Sequence, residues 1–188
     1  MKPIIWRKTT MTELYNVNNI KPRETTAIIN SLLGGVVPKV GVQHIAVGRS
    51  QEIQAFINTN NLTNVQLLGH KTLPEVYNLI TNAQFTVCPS EWYENYPFSV
   101  IEAMSFKKAI VGARIGGIPE LIQDGKTGLL FESFNPDDLR EKIVKLWNDD
   151  EMKKELGENA QKFISHQVSY ERHYGILKDI YSNLNVAL

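Results

Sequence analysis

From about residue 42 onward, short apolar runs alternate with stretches whose apolar residues recur at helical spacing. The runs at 42–47, 65–68, 85–88, 109–113 and 129–131 are bounded by glycine, proline or polar residues. Short strands that alternate with helices of about ten residues predict a parallel sheet, because parallel neighbours must be joined by a crossover connection. We therefore expect an α/β fold, with a parallel sheet that carries helices on both faces.

The helical stretches between and after these runs have signals of their own. Ile53, Phe56 and Ile57 recur at helical spacing. Thr72 is suited to an N-cap, and Pro74 falls in the first turn that would follow it. The predicted helices cover residues 51–60, 73–82, 99–106, 118–122, 136–148, 151–166 and 169–183.

The chain divides into a weakly patterned N-terminal segment and a well-patterned remainder. Residues 3–6 fit a short strand and residues 23–33 fit a helix, whereas residues 9–19 are polar and have no clear period. We therefore treat residues 1–40 as an atypical N-terminal segment and residues 41–188 as one Rossmann-like domain that includes the C-terminal helices. A chain of 188 residues can bury a core without disulfides or a structural metal.

Composition and charge exclude several classes of function. Twenty basic residues balance twenty acidic ones, so no net field attracts nucleic acid, and no basic face with interleaved aromatic residues stands out. The single cysteine, Cys88, excludes an internal disulfide, and its apolar surroundings predict a core residue. No signal peptide is evident, and no run approaches the roughly 18 apolar residues of a membrane span. We expect a soluble cytoplasmic chain with no metal site and no cofactor.

Ligands of open parallel sheets bind beyond the carboxyl ends of the strands. The sequence places glycines, prolines and polar residues at those ends: Gly48-Arg49, Gly69-His70, residues 89–97 and Gly116-Gly117. Two of these residues have competing interpretations. His70 fits a nucleotide contact or an ordinary polar loop residue. Arg49 fits a phosphate-neutralising cation or a solvated loop arginine.

Two carboxylates stand eight positions apart, Glu94 in a loop and Glu102 inside the helix that follows. Helical rise plus a short extended lead separates them by about 10 Å. That distance suits a ligand with hydroxyl groups at both ends and a diphosphate between them. A carboxylate can accept hydrogen bonds from a vicinal diol, and a helix N-terminus can bind the phosphates.

Each of these features also has an ordinary structural explanation. Ser99 and Glu102 have the spacing of a capping box, in which the glutamate serves only the helix backbone. Glu94 fits an exposed loop residue, and Gly116-Gly117 fits either a close approach to phosphate or a simple turn. Trp92 and Tyr93 fit either the core or exposed positions near a second substrate.

The segment from Pro89 to Phe131 resembles the donor-site core of GT-B glycosyltransferases of the GT4 type, the glycosyl transferases group 1. Glu94 and Glu102 match the family's Glu-x7-Glu motif. The further matching blocks, in order, are Glu102-Ala103-Met104, the strand at 109–113, Gly116-Gly117-Ile118-Pro119-Glu120 and residues 124–131. Weaker similarity extends over residues 42–184. The resemblance implies the C-terminal half of a GT-B fold, which binds a nucleotide sugar.

The resemblance also implies residue roles. Glu94 would be the catalytic residue, against the hydroxyls of the transferred sugar and close to its anomeric carbon. Glu102 would bind the ribose, with Val100 packed nearby. The loop whose backbone amides would hold the sugar and phosphates consists of Asn95, Tyr96, Pro97 and Phe98. The remaining substrate-binding residues would be Ser99, Gly116, Gly117, Gly69, His70 and Arg49.

As a function, the resemblance implies retaining transfer of a hexose from a nucleoside-diphosphate sugar, with a UDP-sugar favoured. The acceptor would be a glycan or a lipid-linked intermediate of polysaccharide biosynthesis, which implies peripheral contact with the inner face of a membrane. Complete members have a further N-terminal GT-B domain, and this chain has room for one domain only. A nucleotide-sugar-binding module without activity, acting with a separate N-terminal partner, is the main alternative. A sugar-nucleotide epimerase is the third.

One block of the family pattern has no clear counterpart. Members usually begin this domain with a strand followed by Gly-Arg and Lys-Gly, whose cations neutralise the donor diphosphate. Between residues 1 and 39, Arg7-Lys8, Lys21 and Arg23 have the charge without that context. Because the leaving diphosphate needs positive charge as its bond to the sugar breaks, we expect weak donor binding and little or no transfer by this chain alone.

Overall fold

The computed structural model describes residues 4–7, 44–47, 51–61, 65–69 and 71–183. Six strands form one sheet in which all pairs are parallel. They are β1 (Ile4–Arg7), β2 (His44–Val47), β3 (Val65–Gly69), β4 (Thr86–Cys88), β5 (Ile110–Ala113) and β6 (Leu129–Phe131). The α/β prediction is confirmed. The helix predicted at 23–33 lies outside the described residues.

The strand order, β3-β2-β1-β4-β5-β6, reverses direction between β1 and β4. Because crossovers between parallel strands are right-handed, helices on the two sides of this reversal cover opposite faces of the sheet. In open parallel sheets, ligands bind in a crevice at the carboxyl edge where the order reverses. Residues 4–7, from the segment set apart in the sequence, thus form the strand beside this crevice.

Seven described helices connect and cover the strands. Their bounds are α1 (Gln51–Thr59), α2 (Leu73–Asn82), α3 (Phe98–Ser105), α4 (Ile118–Leu121), α5 (Pro136–Trp147), α6 (Asp150–Gln167) and α7 (Tyr170–Asn183). Helix α2 has the predicted bounds. Its N-terminus is fixed by Glu75, whose Oε2 accepts hydrogen bonds from the backbone N–H and the hydroxyl of Thr72, both at 2.8 Å.

The core lies where β4, β5 and β6 meet α3, α5 and α6. Every residue of these three strands is buried, which explains why the sequence shows continuous apolar runs rather than alternation. Phe85, Met104 and Phe131 are among its largest buried side chains, and Cys88 belongs to it as predicted.

Helix α6 packs against α3 and against the turn that follows α3. Gly157 of α6 faces the backbone of Lys107, so closely that an added Cβ would overlap the Lys107 carbonyl oxygen. Lys153, also on α6, is buried except for 9% of its surface, and its ammonium donates to Gln84 Oε1 at 3.0 Å and to the Trp147 carbonyl at 3.2 Å. These contacts link α6 to both ends of the β4–α3 unit that carries the site.

Helix α7 differs from the others because none of its residues is buried. Tyr170, Tyr174, Leu177 and Tyr181 are exposed and recur at intervals of four, three and four residues, which is the spacing of one helix face. Within the part of the chain that the structure describes, no helix has the length and apolar character needed to cross a membrane.

The contact at Gly157 gives a stability prediction. Gly157→Ala should lower the free energy of unfolding by about 1–3 kcal/mol, because the methyl group forces α6 away from the Lys107 carbonyl. Urea unfolding followed by circular dichroism measures the change. Gly175→Ala is the matched control, since nothing lies within 4 Å of an added Cβ there. Removing glycine from that helix should raise stability by up to about 1 kcal/mol. A loss at both positions would contradict the assigned packing.

Candidate active site

The start of α3 decides between the interpretations of Glu102. The helix begins at Phe98 after Pro97, and no side chain caps it. Ser99 is therefore the second helical residue and Glu102 the fifth, one turn inside, where a capping box is out of reach. Ser99 is buried instead, with its Oγ 3.8 Å from Cys88 Sγ. The capping-box interpretation is wrong, and Glu102 is a half-buried carboxylate on the first turns of α3.

The chain before α3 presents backbone donors. The Pro97 carbonyl accepts hydrogen bonds from Val100 at 3.0 Å and Ile101 at 3.3 Å. Among the described residues, by contrast, none accepts a hydrogen bond from the backbone N–H of Asn95, Tyr96 or Phe98. Amides at a helix N-terminus that lack a protein acceptor are suited to an anion.

Aromatic side chains surround these donors. Tyr96 and Phe98 are exposed and meet edge to face, with ring centroids 6.5 Å apart. Trp92 and Tyr93 are also exposed, Tyr93 to 87%, so the core interpretation of these two residues is wrong. Four large exposed aromatic residues therefore lie within seven positions, a clustering that is typical of binding surfaces.

Glu94 lies in the turn between β4 and α3, and its carboxylate is held by Ser90. Ser90 Oγ donates to Glu94 Oε1 at 3.1 Å. The Glu94 backbone N–H donates to the Trp92 carbonyl at 2.8 Å. Partial burial raises the pKa of the Glu94 carboxyl above its usual value, and the Ser90 hydrogen bond partly offsets that rise. Glu94 is therefore not an ordinary solvated loop glutamate.

The glycine pair packs directly against this turn. A Cβ on Gly116 would lie 2.5 Å from the Glu94 carbonyl oxygen and 2.7 Å from its nitrogen, and one on Gly117 would overlap the Asn95 carbonyl. Gly116 also has a φ of +55°, which favours glycine. The Gly117 N–H donates to the Glu94 carbonyl at 2.6 Å. The glycines thus allow two loops to touch.

This contact bears on the interpretation that Gly116-Gly117 approaches a bound phosphate. The Gly117 N–H already has the Glu94 carbonyl as its acceptor. The helix that follows, α4, has only four residues, too short for a strong dipole at its N-terminus. The pair supports the Glu94 turn rather than standing open to phosphate.

Several other predicted site residues are buried or lie away from this turn. The Val100 side chain is fully buried in the core, where it packs α3 onto the sheet. Pro97 is also buried. Gly69 ends β3, and β2 and β1 lie between it and β4, a separation of about 14 Å at the usual strand spacing. Arg49 and His70 lie outside the described residues.

The strand order places Arg7 near the site, which the sequence alone did not indicate. β1 ends at Arg7, and its register pairs Trp6 with Val87, so Arg7 is level with Cys88 at the carboxyl edge. That edge is where the strand order reverses, directly beside the start of the Glu94 turn. The sequence signal for this position was a short strand followed by two basic residues, Arg7-Lys8. That signal points to the site only once the sheet order shows that β1 lies next to β4.

Ser90 was also missed, because a serine after Pro89 looks like any turn residue. Only its contact with Glu94 distinguishes it. Within the described ranges, no group of three histidine, cysteine, aspartate or glutamate residues is placed to hold a metal ion.

Comparison with known proteins identifies the family. Residues 39–163 match the family Glycosyl transferases group 1. An uncharacterised glycosyltransferase of Methanocaldococcus jannaschii is 37% identical over 135 residues, which are 72% of this chain and 38% of that protein. The chain belongs to the group 1 glycosyl transferase family.

Solved structures give the fold. An Anabaena protein, HepE, solved with UDP and glucose, has a TM-score of 0.76 at 20% identity, over 96% of this chain and 48% of that one. The C-terminal domain of a group 1 family protein from Francisella tularensis has a TM-score of 0.71 at 17% identity, over 90% of this chain and 87% of that one. The fold is that of the C-terminal half of a GT-B glycosyltransferase, and the chain spans less than half of the archaeal and Anabaena proteins.

Burial of Glu94 gives a prediction for stability against pH. Its pKa in the folded chain lies above its unfolded value, so ionisation in the native state costs stability as the pH rises through the folded pKa. Glu94→Gln should therefore be more stable than the wild type at pH 8. The advantage should shrink as the pH falls through the folded pKa and should be lost below the ordinary glutamate value of 4.5.

Urea unfolding at a series of pH values measures this difference. The exposed Glu120 of α4 provides the control, since Glu120→Gln should change stability by no more than about 0.5 kcal/mol. An advantage of Glu94→Gln that is constant with pH would show that burial of the charge is not the cause.

Proposed function

We propose that this chain is the donor-binding half of a retaining glycosyltransferase, which transfers a hexose from a nucleoside-diphosphate sugar to a glycan or lipid-linked acceptor. The observation that carries this proposal is the Glu94–Phe98 segment. It combines a half-buried carboxylate with backbone donors that have no acceptor among the described residues, at the carboxyl edge where the strand order reverses.

Different parts of the segment are suited to different parts of the donor. The amides of Asn95, Tyr96 and Phe98, at the positive end of α3, are suited to the diphosphate. Glu102 does not cap α3, and a carboxylate at its position on the first turns of that helix is suited to accept hydrogen bonds from the vicinal hydroxyls of the ribose. The position of Arg7 makes it our candidate for the cation that stabilises the leaving diphosphate.

Glu94 is our candidate for the catalytic residue at the transferred sugar. Positive charge develops at an anomeric carbon as the leaving group departs, and a fixed carboxylate in a partly desolvated site stabilises that charge more than solvent does. The Anabaena structure with this fold was solved with UDP and glucose, which supports a UDP-sugar as the first donor class to test.

The binding site for the acceptor would come from a second, N-terminal half of the GT-B fold. The chain spans 38% of its archaeal relative, and α7 exposes an apolar stripe that nothing described covers. We propose that an N-terminal GT-B half, in the same polypeptide or in a separate one, closes the cleft over Glu94 and supplies the acceptor site. For a lipid-linked acceptor, that assembly would work at the inner face of a membrane.

The same observations favour a second candidate. A nucleotide-sugar-binding module that acts with a separate partner would also have an apolar helix face that no described residue covers, as α7 has. The two candidates differ in whether catalysis appears once both halves are present.

The donor assignment is tested by calorimetric titration of the chain with UDP, GDP and ADP. One of them should bind, and Glu102→Ala should weaken that binding about tenfold to a hundredfold, the cost of losing hydrogen bonds to a charged group. Glu120→Ala, an exposed glutamate on α4, should bind as the wild type does. If all three nucleotides fail to bind, or if Glu102→Ala binds equally well, the donor site is wrongly assigned.

The need for a second half is tested by activity. The purified 188-residue chain should transfer little or no sugar from UDP-glucose, UDP-galactose or UDP-N-acetylglucosamine to added glycan acceptors. A protein that contains this half and an N-terminal GT-B domain from the same genome should be active, and Glu94→Gln should abolish that activity. Robust turnover by the isolated chain would contradict the proposal, and a silent two-half protein that binds donor would favour the module.

A further inference from the structure

We propose that Ser90 is the positioning residue for Glu94, holding the carboxylate in the orientation in which it meets the transferred sugar. This inference rests on the proposed function, because it assigns a role to Ser90 through Glu94. Ser90 itself need not touch the substrate.

The Ser90 hydroxyl is oriented from both sides. Its oxygen accepts the Trp92 backbone N–H at 3.3 Å, and its hydrogen has two candidate acceptors. Glu94 Oε1 is at 3.1 Å, whereas the Trp92 carbonyl is at 3.4 Å. The carboxylate is the nearer acceptor, and a charged acceptor makes the stronger hydrogen bond. The hydroxyl therefore donates to Glu94.

The backbone of Glu94 is fixed without Ser90. Its N–H donates to the Trp92 carbonyl at 2.8 Å, and its carbonyl accepts the Gly117 N–H at 2.6 Å. Loss of the hydroxyl would release the carboxylate and the Trp92 N–H, but both backbone hydrogen bonds of Glu94 would remain, and we expect them to hold the turn. The anion-binding amides of Asn95 and Tyr96, which follow in the same turn, should keep their positions.

The hydrogen bond also determines what the carboxylate offers to a ligand. Oε1 is occupied by Ser90, and Oε2 has no other partner among the described residues. A glutamate side chain has three rotatable bonds, so a single anchor on one oxygen selects the orientation of the other. The same bond favours the ionised form, against the burial that raises the pKa of Glu94.

The test compares Ser90→Ala and Ser90→Thr in the 188-residue chain. The Glu94 carboxyl is followed by carbon-13 NMR titration, and affinity for UDP-glucose, UDP-galactose and UDP-N-acetylglucosamine is compared with affinity for UDP. In Ser90→Ala, Glu94 should titrate at higher pH than in the wild type. The ratio of the UDP-sugar affinity to the UDP affinity, which is the contribution of the sugar, should fall about tenfold. The affinity for UDP itself should stay within about twofold of the wild-type value. Ser90→Thr keeps the hydroxyl and should restore both properties.

Two controls separate positioning from a general structural effect. Ser105→Ala removes another hydroxyl hydrogen bond, from Ser105 Oγ to the Ile101 carbonyl at the far end of α3, and should change neither readout. In a Glu94→Ala background, Ser90→Ala should have no further effect on the contribution of the sugar, because the group it positions is gone.

The outcomes distinguish this inference from the proposed function. If Glu94→Ala removes the sugar contribution but Ser90→Ala leaves that contribution and the titration unchanged, the role of Ser90 is overturned and the donor site stands. If Glu94→Ala leaves the affinity of every UDP-sugar relative to UDP unchanged, the role of Glu94 is overturned, and that of Ser90 falls with it. If Ser90→Ala lowers UDP and UDP-sugar affinity equally, the residue holds the turn and not the carboxylate, which also overturns the inference.

Discussion

The contact between the glycine pair and the Glu94 turn is the constraint on which the site depends. The turn follows β4 and the glycines follow β5, two buried strands that pair in parallel. A hydrogen bond of 2.6 Å from Gly117 to the Glu94 carbonyl joins the two loops, and there is no room for a Cβ at either glycine. Because the loop after β5 holds the turn in place, the turn does not need hydrogen bonds from its own remaining amides to keep its shape.

A rigid support lies behind that contact. Helix α3 carries Glu102 and begins where the turn ends, and it is held on the sheet by fully buried Val100 and Met104. Helix α6 presses on the turn after α3 through Gly157. A site that must bind charge in a fixed geometry benefits from such support, since preorganised groups cost no reorganisation when the ligand arrives.

Glu94 illustrates the conflict between stability and function. Partial burial makes its ionised form unfavourable, and Ser90 offsets only part of that effect. A carboxylate without a functional role would be more stable in its ionised form if it were fully exposed to solvent. Its retention in a half-buried turn, one hydrogen bond from Ser90, fits a group whose charge is used on a ligand.

The sequence by itself determined the class of fold, and it placed the boundaries of the described elements to within a residue or two. Periodicity reports local structure, so α2 and β6 were predicted with the bounds observed, and glycine and proline punctuation located the loops. It also identified Glu94 and Glu102. Only the tertiary structure decided what these residues do. Three features depend on contacts between segments far apart in the chain. They are the central position of β1, the start of α3 at Phe98 and the packing of Gly116-Gly117 against Glu94. The start of α3 is what rules out the capping box. Local patterns do not encode such contacts, because strand order and the meeting of loops follow from how the whole sheet buries its faces.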